Sequence, residues 1–227
     1  MTVAAAALFA NCAMAQVKIG PKVGMNLYKM NTSEEMDEEV KEPFTVGFNV
    51  GVATSFGITD NVSIAPELIF SQKGSSQKVE EGDDYYKFRI RSNFIEMPVL
   101  ARVAFGDAVK GYVNAGPSVG YWLGGNLKRD VEINGEAESE DMKYKFITES
   151  DFDPNADYEQ LPEDSYNRLE LGAAIGGGVM FDTSVGDLLL DIRYQVGLSN
   201  MVTNEGDEDD KWKNNGLSVS FVYLFGL

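Results

Sequence analysis

Seven charged residues stand in stretches that are otherwise glycine, serine, asparagine and aliphatic: Lys22, Glu67, Glu96, Arg102, Glu170, Asp191 and Arg193. Carboxylates that share a site can divide into an acid and a base, and a nearby lysine or arginine can stabilise developing negative charge. Hydrolysis or acyl transfer of that kind commonly leans on a histidine, and the chain has none. The same absence removes histidine-ligated zinc or haem and a histidine pH switch. Cys12 is the one cysteine, so no disulfide, thiolate metal site or iron–sulfur cluster is expected. The run Glu205-Gly206-Asp207-Glu208-Asp209-Asp210 offers oxygen ligands at close spacing. It lacks the loop with a final bidentate glutamate that marks an EF-hand. The expectation is therefore no catalytic residue, no cofactor and no assigned metal, with the seven charges pairing among themselves.

The elements that carry these charges alternate with period two, the pattern of half-buried strands. Eight such segments are legible: Val17 to Leu27, Phe44 to Phe56, Val62 to Phe70, Ile95 to Phe105, Val113 to Tyr121, Leu169 to Phe181, Leu188 to Leu198 and Leu217 to Phe225. In the first, Val17, Ile19, Pro21, Val23, Met25 and Leu27 face one way, and Lys18, Gly20, Lys22, Gly24 and Asn26 the other. Four prolines fall within these segments, Pro21, Pro66, Pro98 and Pro117, and are expected to mark bulges or strand ends.

Connections alternate in length. Gly57 to Asn61, Gly106 to Ala108 and Asp182 to Gly186 are short, whereas Lys29 to Pro43, Lys73 to Lys87, Gly124 to Asn167 and Asn200 to Lys213 are long. Short turns at one end and long loops at the other characterise bacterial outer-membrane barrels. Charge agrees: the four long loops together carry the chain's entire net charge of -17, and everything else sums to zero. An acidic balance of this size disfavours nucleic acid as a partner, since phosphate backbones are bound through cations. Phe56, Phe105, Phe181 and Phe225 each end a downward strand, where a periplasmic aromatic girdle is expected.

A soluble barrel would also show period two, with its apolar side turned inward. Its outer face would then be large and charged, but the polar face here is mostly glycine, alanine, serine and asparagine. Those volumes fit a narrow lumen, which places the aliphatic face against lipid. Near the start, the apolar stretch Val3 to Ala10 precedes Ala13-Met14-Ala15, a small-x-small cleavage pattern. Residues 1–15 therefore read as a signal peptide truncated at its beginning, and 16–227 as the barrel domain.

Pro66-Glu67-Leu68-Ile69-Phe70-Ser71-Gln72-Lys73-Gly74, Ile95-Glu96-Met97-Pro98-Val99-Leu100, Ala115-Gly116-Pro117-Ser118-Val119-Gly120-Tyr121 and the closing strand carry a resemblance. Over Val17 to Leu227 the chain resembles the porin-family outer-membrane β-barrel domain of Gram-negative bacteria, the OmpX-like and OmpA-membrane-domain-like group. The resemblance implies an all-β fold, an eight-stranded antiparallel up-and-down transmembrane barrel inserted by the barrel-assembly machinery. Ser218, Ser220, Tyr223 and Phe225 look like the family's carboxy-terminal insertion signal, with Ser220 where glycine is usual.

The expected location is the outer membrane, with its lipid and lipopolysaccharide as surroundings. The expected role is structural, with surface interaction, including an extracellular protein partner, through four acidic loops and a lumen plugged by charge. A small porin-like channel for ions or small solutes, or an accessory barrel of a secretion apparatus, is the alternative. The longest loop, Gly124 to Asn167, is expected to be solvated and partly mobile, the alternative being that it extends the strands above the membrane or meets a partner.

Overall fold

The computed structural model describes residues 17–31, 40–41, 43–81, 84–133, 135–203 and 211–227. In chain order its strands are β1 (Val17–Asn31), β2 (Val40–Lys41), β3 (Thr45–Gly57), β4 (Val62–Glu81), β5 (Asp84–Phe105), β6 (Val109–Ile133), β7 (Glu136–Ile147), β8 (Glu159–Pro162), β9 (Leu169–Thr183), β10 (Gly186–Gly197) and β11 (Lys213–Gly226). Eight of them, β1, β3, β4, β5, β6, β9, β10 and β11, pair antiparallel in succession. The ring shuts where β11 runs along β1, from Lys18 opposite Gly226 to Asn31 opposite Lys213. Closure removes the open edges that would otherwise present unpaired backbone groups. Among the described residues no helix is long and apolar enough to cross a membrane, which says nothing about crossing by strands.

The period-two pattern becomes an inverted distribution of polarity. On β1, Lys22 is 2% exposed while its neighbour Val23 is 57% exposed. The same alternation runs along β3, where Thr45, Asn49 and Ala53 are buried and Val46, Phe48, Val50 and Val52 are exposed. An outer wall of aliphatic and aromatic side chains around a polar interior is stable only against lipid, because water would leave the apolar wall uncovered. The barrel is therefore of the membrane-spanning type, all-β and up-and-down.

The prolines behave differently from expectation. Pairing continues in one register across Pro21, Pro66, Pro98 and Pro117, with Pro21 opposite Val52, Pro66 opposite Val99, Pro98 opposite Ser118 and Pro117 opposite Ala173. Where a proline cannot donate, the ladder is interrupted and then resumes in phase, as between Pro98–Ser118 and Ala101–Ala115. No bulge forms at these residues, and no side chain changes face after them. The irregularity lies elsewhere: between Asn93 and Phe94 of β5, the partner strand β6 steps from Gly124 to Trp122, skipping Leu123. Gly124 has φ +130°, a conformation that favours glycine. The extra residue reverses the phase of β6, so Trp122 and Leu127 both face inward.

From Gly124 onward the alternative reading, an extension of the strands, is what forms, although β7 stays largely exposed. β6 continues to Ile133, turns at Gly135 (φ +80°) and returns as β7, with Gly125 opposite Tyr144 and Ile133 opposite Glu136. β4 and β5 extend likewise to Glu81 and Asp84. β7 carries β8 in parallel, from Tyr144 opposite Glu159 to Ile147 opposite Pro162. Apolar residues two apart, Met142, Tyr144 and Phe146 among them, keep strand periodicity where acidic composition hides it. The long-loop end is thus a strand-built crown.

Candidate functional site

The lumen is filled in tiers. Nearest the short turns, Ala53, Ala104, Tyr112, Leu189, Val222 and Leu224 form a buried apolar cluster. Above it lies an ionic cluster. Lys22 Nζ donates to Glu67 Oε2 at 2.9 Å, and Arg193 grips the same carboxylate with two donors at 2.8 and 3.0 Å. Asp191 completes the group, 3.0 Å from Arg193 and 3.9 Å from Lys22. The Tyr112 hydroxyl and the Asn114 amide each donate to Asp191 Oδ2 at 2.9 Å. Two cations thus face two anions, with two neutral donors on Asp191 Oδ2, an arrangement that makes buried charge tolerable.

A neutral layer comes next. Asn26 donates to Ser71 at 3.1 Å, Asn49 donates to Asn26 at 2.7 Å, and Ser220 donates to Asn49 at 3.2 Å. A second ionic cluster lies beyond it. Lys73 pairs with Glu96 at 2.8 Å and with Glu170, and Asn214 donates to Glu170 at 2.5 Å. The Lys73 ammonium also lies 4.8 Å from the Phe94 ring centre and 5.3 Å from that of Tyr28, whose hydroxyl donates to Gln195. The crown end is closed by Phe94, Trp122, Tyr144 and Met201. Phe94 stacks on Trp122 at 5.9 Å, and Trp122 Nε1 donates to the Tyr144 hydroxyl at 3.1 Å. Burial pushes the Tyr144 phenol up to about 12.

Three buried tyrosines fit this narrow space because each lies over the glycine directly opposite it. Tyr28 faces Gly216, Tyr112 faces Gly178 and Tyr144 faces Gly125. A Cβ at Gly216 would meet the Tyr28 ring at 2.5 Å, and one at Gly178 would meet the Tyr112 hydroxyl at 2.7 Å. Small residues opposite large ones fill a taper without voids.

The seven expected lumen charges are all buried, but they do not form one network. Lys22, Glu67, Asp191 and Arg193 meet in one cluster; Glu96 and Glu170 meet in the other, around a lysine absent from the expected set. Lys73 stands in phase with Glu67, Ile69 and Ser71, and that phase was the signal for it. Arg102 departs from the expected pairing altogether. Register sets it opposite Ser63 on β4 and Asn114 on β6, beyond the carboxylates. It lies over the Tyr112 ring, 5.0 Å from its centre.

Phe56, Phe105, Phe181 and Phe225 are exposed on the outer wall at the short-turn end. Ser218 and Ser220 are buried in the lumen, while the Tyr223 hydroxyl donates to the Val185 carbonyl at 2.8 Å. Residues 1–16 and 204–210, which include the expected signal peptide and the acidic run from Glu205 to Asp210, lie outside the described residues. Among the described residues no group of three acidic, cysteine or histidine side chains is arranged to hold a metal.

Residues 9–203 match a family described as outer membrane protein beta-barrel domain. No curated protein matches the chain. Among solved structures, Neisserial surface protein A (NspA) is 12% identical, with 91% of this chain and 96% of that one covered and a TM-score of 0.42. OprG from Pseudomonas aeruginosa is 9% identical over 94% of this chain and 97% of that one, with a TM-score of 0.49. Ail, the attachment invasion locus protein of Yersinia pestis, is 14% identical over 92% and 99%, with a TM-score of 0.38.

Proposed function

The chain belongs to the outer membrane protein beta-barrel domain family, and from that premise we propose that it is a plugged barrel whose working surface is the strand-built crown. The observation that carries this reading is the filled lumen, in which two ionic clusters, an asparagine–serine layer and an aromatic cap follow one another. Eight-stranded barrels have room for side chains and little else, whereas open aqueous pores belong to wider rings. Each carboxylate of the two clusters is engaged by a cation, so we assign these residues a structural part and no catalytic one.

The crown offers two kinds of surface. Glu136, Glu138, Glu140 and Asp141 are exposed along β7, with Glu149, Asp151, Asp153 and Asp157 exposed beyond it. An acidic display of that kind suits a cationic patch on an extracellular protein partner. Lower down, Arg89, Arg91 and Lys128 join Gln72, Asn126 and Asp141 around a cavity of about 170 Å³. Arg91 points away from the interior that its neighbour Ser92 shares with Tyr144, so this basic group sits on the outer wall. Its chemistry supports contact with the phosphates of lipopolysaccharide, while the aliphatic band below suits the lipid chains. The exposed phenylalanines at the turn end and the Tyr223–Phe225 pair support, respectively, a periplasmic girdle and recognition by the barrel-assembly machinery.

Single-channel recording of the refolded barrel in a planar bilayer tests the plug. Wild-type protein, its folding established by heat-shifted gel mobility, is expected to give no discrete steps, and Glu67→Ala/Arg193→Ala none either, since the second ionic cluster and the aromatic cap still fill the lumen. Reproducible wild-type steps would overturn the plug and put the small-channel reading first.

A further inference from the structure

At the short-turn mouth the barrel holds a cavity of about 720 Å³, lined among others by Arg102, Ala104, Met180, Lys18, Lys110 and Asp187. That volume is in the range of small-molecule sites, roughly 300–1,000 Å³. Its charged lining is mostly paired: Lys18 donates to Asp187 Oδ2 at 2.6 Å, leaving the buried Oδ1 of that carboxylate without a hydrogen-bond partner, and Lys110 pairs with Asp182 at 3.4 Å. Asp60, the remaining acid of the lining, is exposed on the turn between β3 and β4.

Among the described residues Arg102 is the cation of this lining that pairs with no carboxylate. It is 4% exposed, and its buried Nε has no hydrogen-bond partner. Among the described residues no carboxylate lies within ion-pair distance of it, and its recorded contact is the Tyr112 face. The charge tally says why no neighbour can serve. The cluster of Lys22, Arg193, Glu67 and Asp191 is already neutral, and the excess acid of the lumen lies with Lys73, beyond the asparagine–serine layer. A buried guanidinium without an anion is costly, and an oxyanion matches its planar fork. Beside it, Ala104 and the half-buried Met180 belong to the apolar cluster that floors the cavity.

We propose that this mouth is a binding pocket for a small organic acid, its carboxylate on Arg102 and its short carbon chain against Ala104 and Met180. The ligand enters from the water on the turn side, so the pocket works without any path through the plugged lumen. This site is independent of the crown and of whatever the crown engages.

The experiment is an NMR titration of the barrel in a neutral detergent, following the Arg102 Nε–H signal, with Arg102→Gln identifying it by its loss. Butanoate is expected to move the signal to saturation, while butanamide, of the same shape without charge, leaves it in place. Isothermal titration calorimetry is expected to show butanoate affinity falling by about tenfold or more in Arg102→Gln, the scale of a lost hydrogen bond to a charged group. Inorganic phosphate, which lacks the carbon chain, is expected to bind more weakly than butanoate. Equal effects of butanoate and sodium chloride would overturn the proposal, as would undiminished affinity in Arg102→Gln. Phosphate binding as tightly as butanoate would overturn the apolar half of it. Should Arg102→Gln fail to fold, Arg102→Lys keeps the charge but loses the fork, and is expected to retain a weakened response. No response in the wild type overturns the proposal whatever the variants do.

Discussion

The two ionic clusters of the lumen are built from the same residue types and solve different problems. Glu67 is held by both Lys22 and Arg193, with Asp191 as second anion, so each charge has a counterpart. Lys73 sits between Glu96 and Glu170 as the single cation for two acids, and leans on Asn214 and two aromatic faces to hold them. In the first cluster one carboxylate is the hub; in the second one ammonium is. Which residue is indispensable therefore depends on the count of charges around it, and residue type alone does not reveal it.

The largest effect is expected where the hub is removed. Glu67→Gln leaves Lys22 and Arg193 with Asp191 alone, and should lower unfolding stability by about 3–5 kcal/mol, the cost of an uncompensated buried charge. Urea unfolding in lipid vesicles, followed by tryptophan fluorescence, measures it. The matching change in the other cluster, Glu96→Gln, leaves Lys73 paired with Glu170 and makes that cluster neutral. It should shift stability by less than about 1 kcal/mol. Equal losses in the two variants would erase the distinction between hub and satellite.

A pH-dependent effect marks the crown end of the lumen. Burial holds the Tyr144 phenol at about 12 against its ordinary value of 10.0, so the folded crown keeps a proton that the unfolded chain releases. Stability should be level below pH 10 and fall as pH rises from there towards 12. The slope should shrink in Tyr144→Phe, and circular dichroism melts across that range would register it. A wild-type slope unchanged in the variant would place the sensitivity elsewhere.

Much of this architecture can be read without coordinates because a strand whose two faces meet lipid and lumen must alternate strictly. Val46, Phe48, Val50 and Val52 against Thr45, Asn49 and Ala53 leave little freedom in how β3 is turned. The eight ring strands and six members of the two charge clusters were accessible in this way. Lys73 was hidden by its position at the head of an acidic stretch, although its phase matched Glu67. The crown was hidden by the bulge at Gly124, which moves the inward residues of β6 from even to odd numbers just where charge begins to dominate. The isolation of Arg102 was beyond reach for another reason. Its neighbours Ser63 and Asn114 are set by register between strands, a property of pairs that no single strand records.

The closure of β11 on β1 has a consequence in time. Glu67 on β4 finds Arg193 across 126 residues of sequence, and β1 has no second neighbour until the final strand is made. Contacts of such separation are slow to form, since chain entropy is lost before they reward it. β11 must therefore be made before the barrel can begin to be whole. A chain stopped short of β10 has a lumen acid without its arginine, and one stopped short of β11 has a first strand without its seam. Completeness of the ring is thus checked by the same contacts that hold the finished wall together.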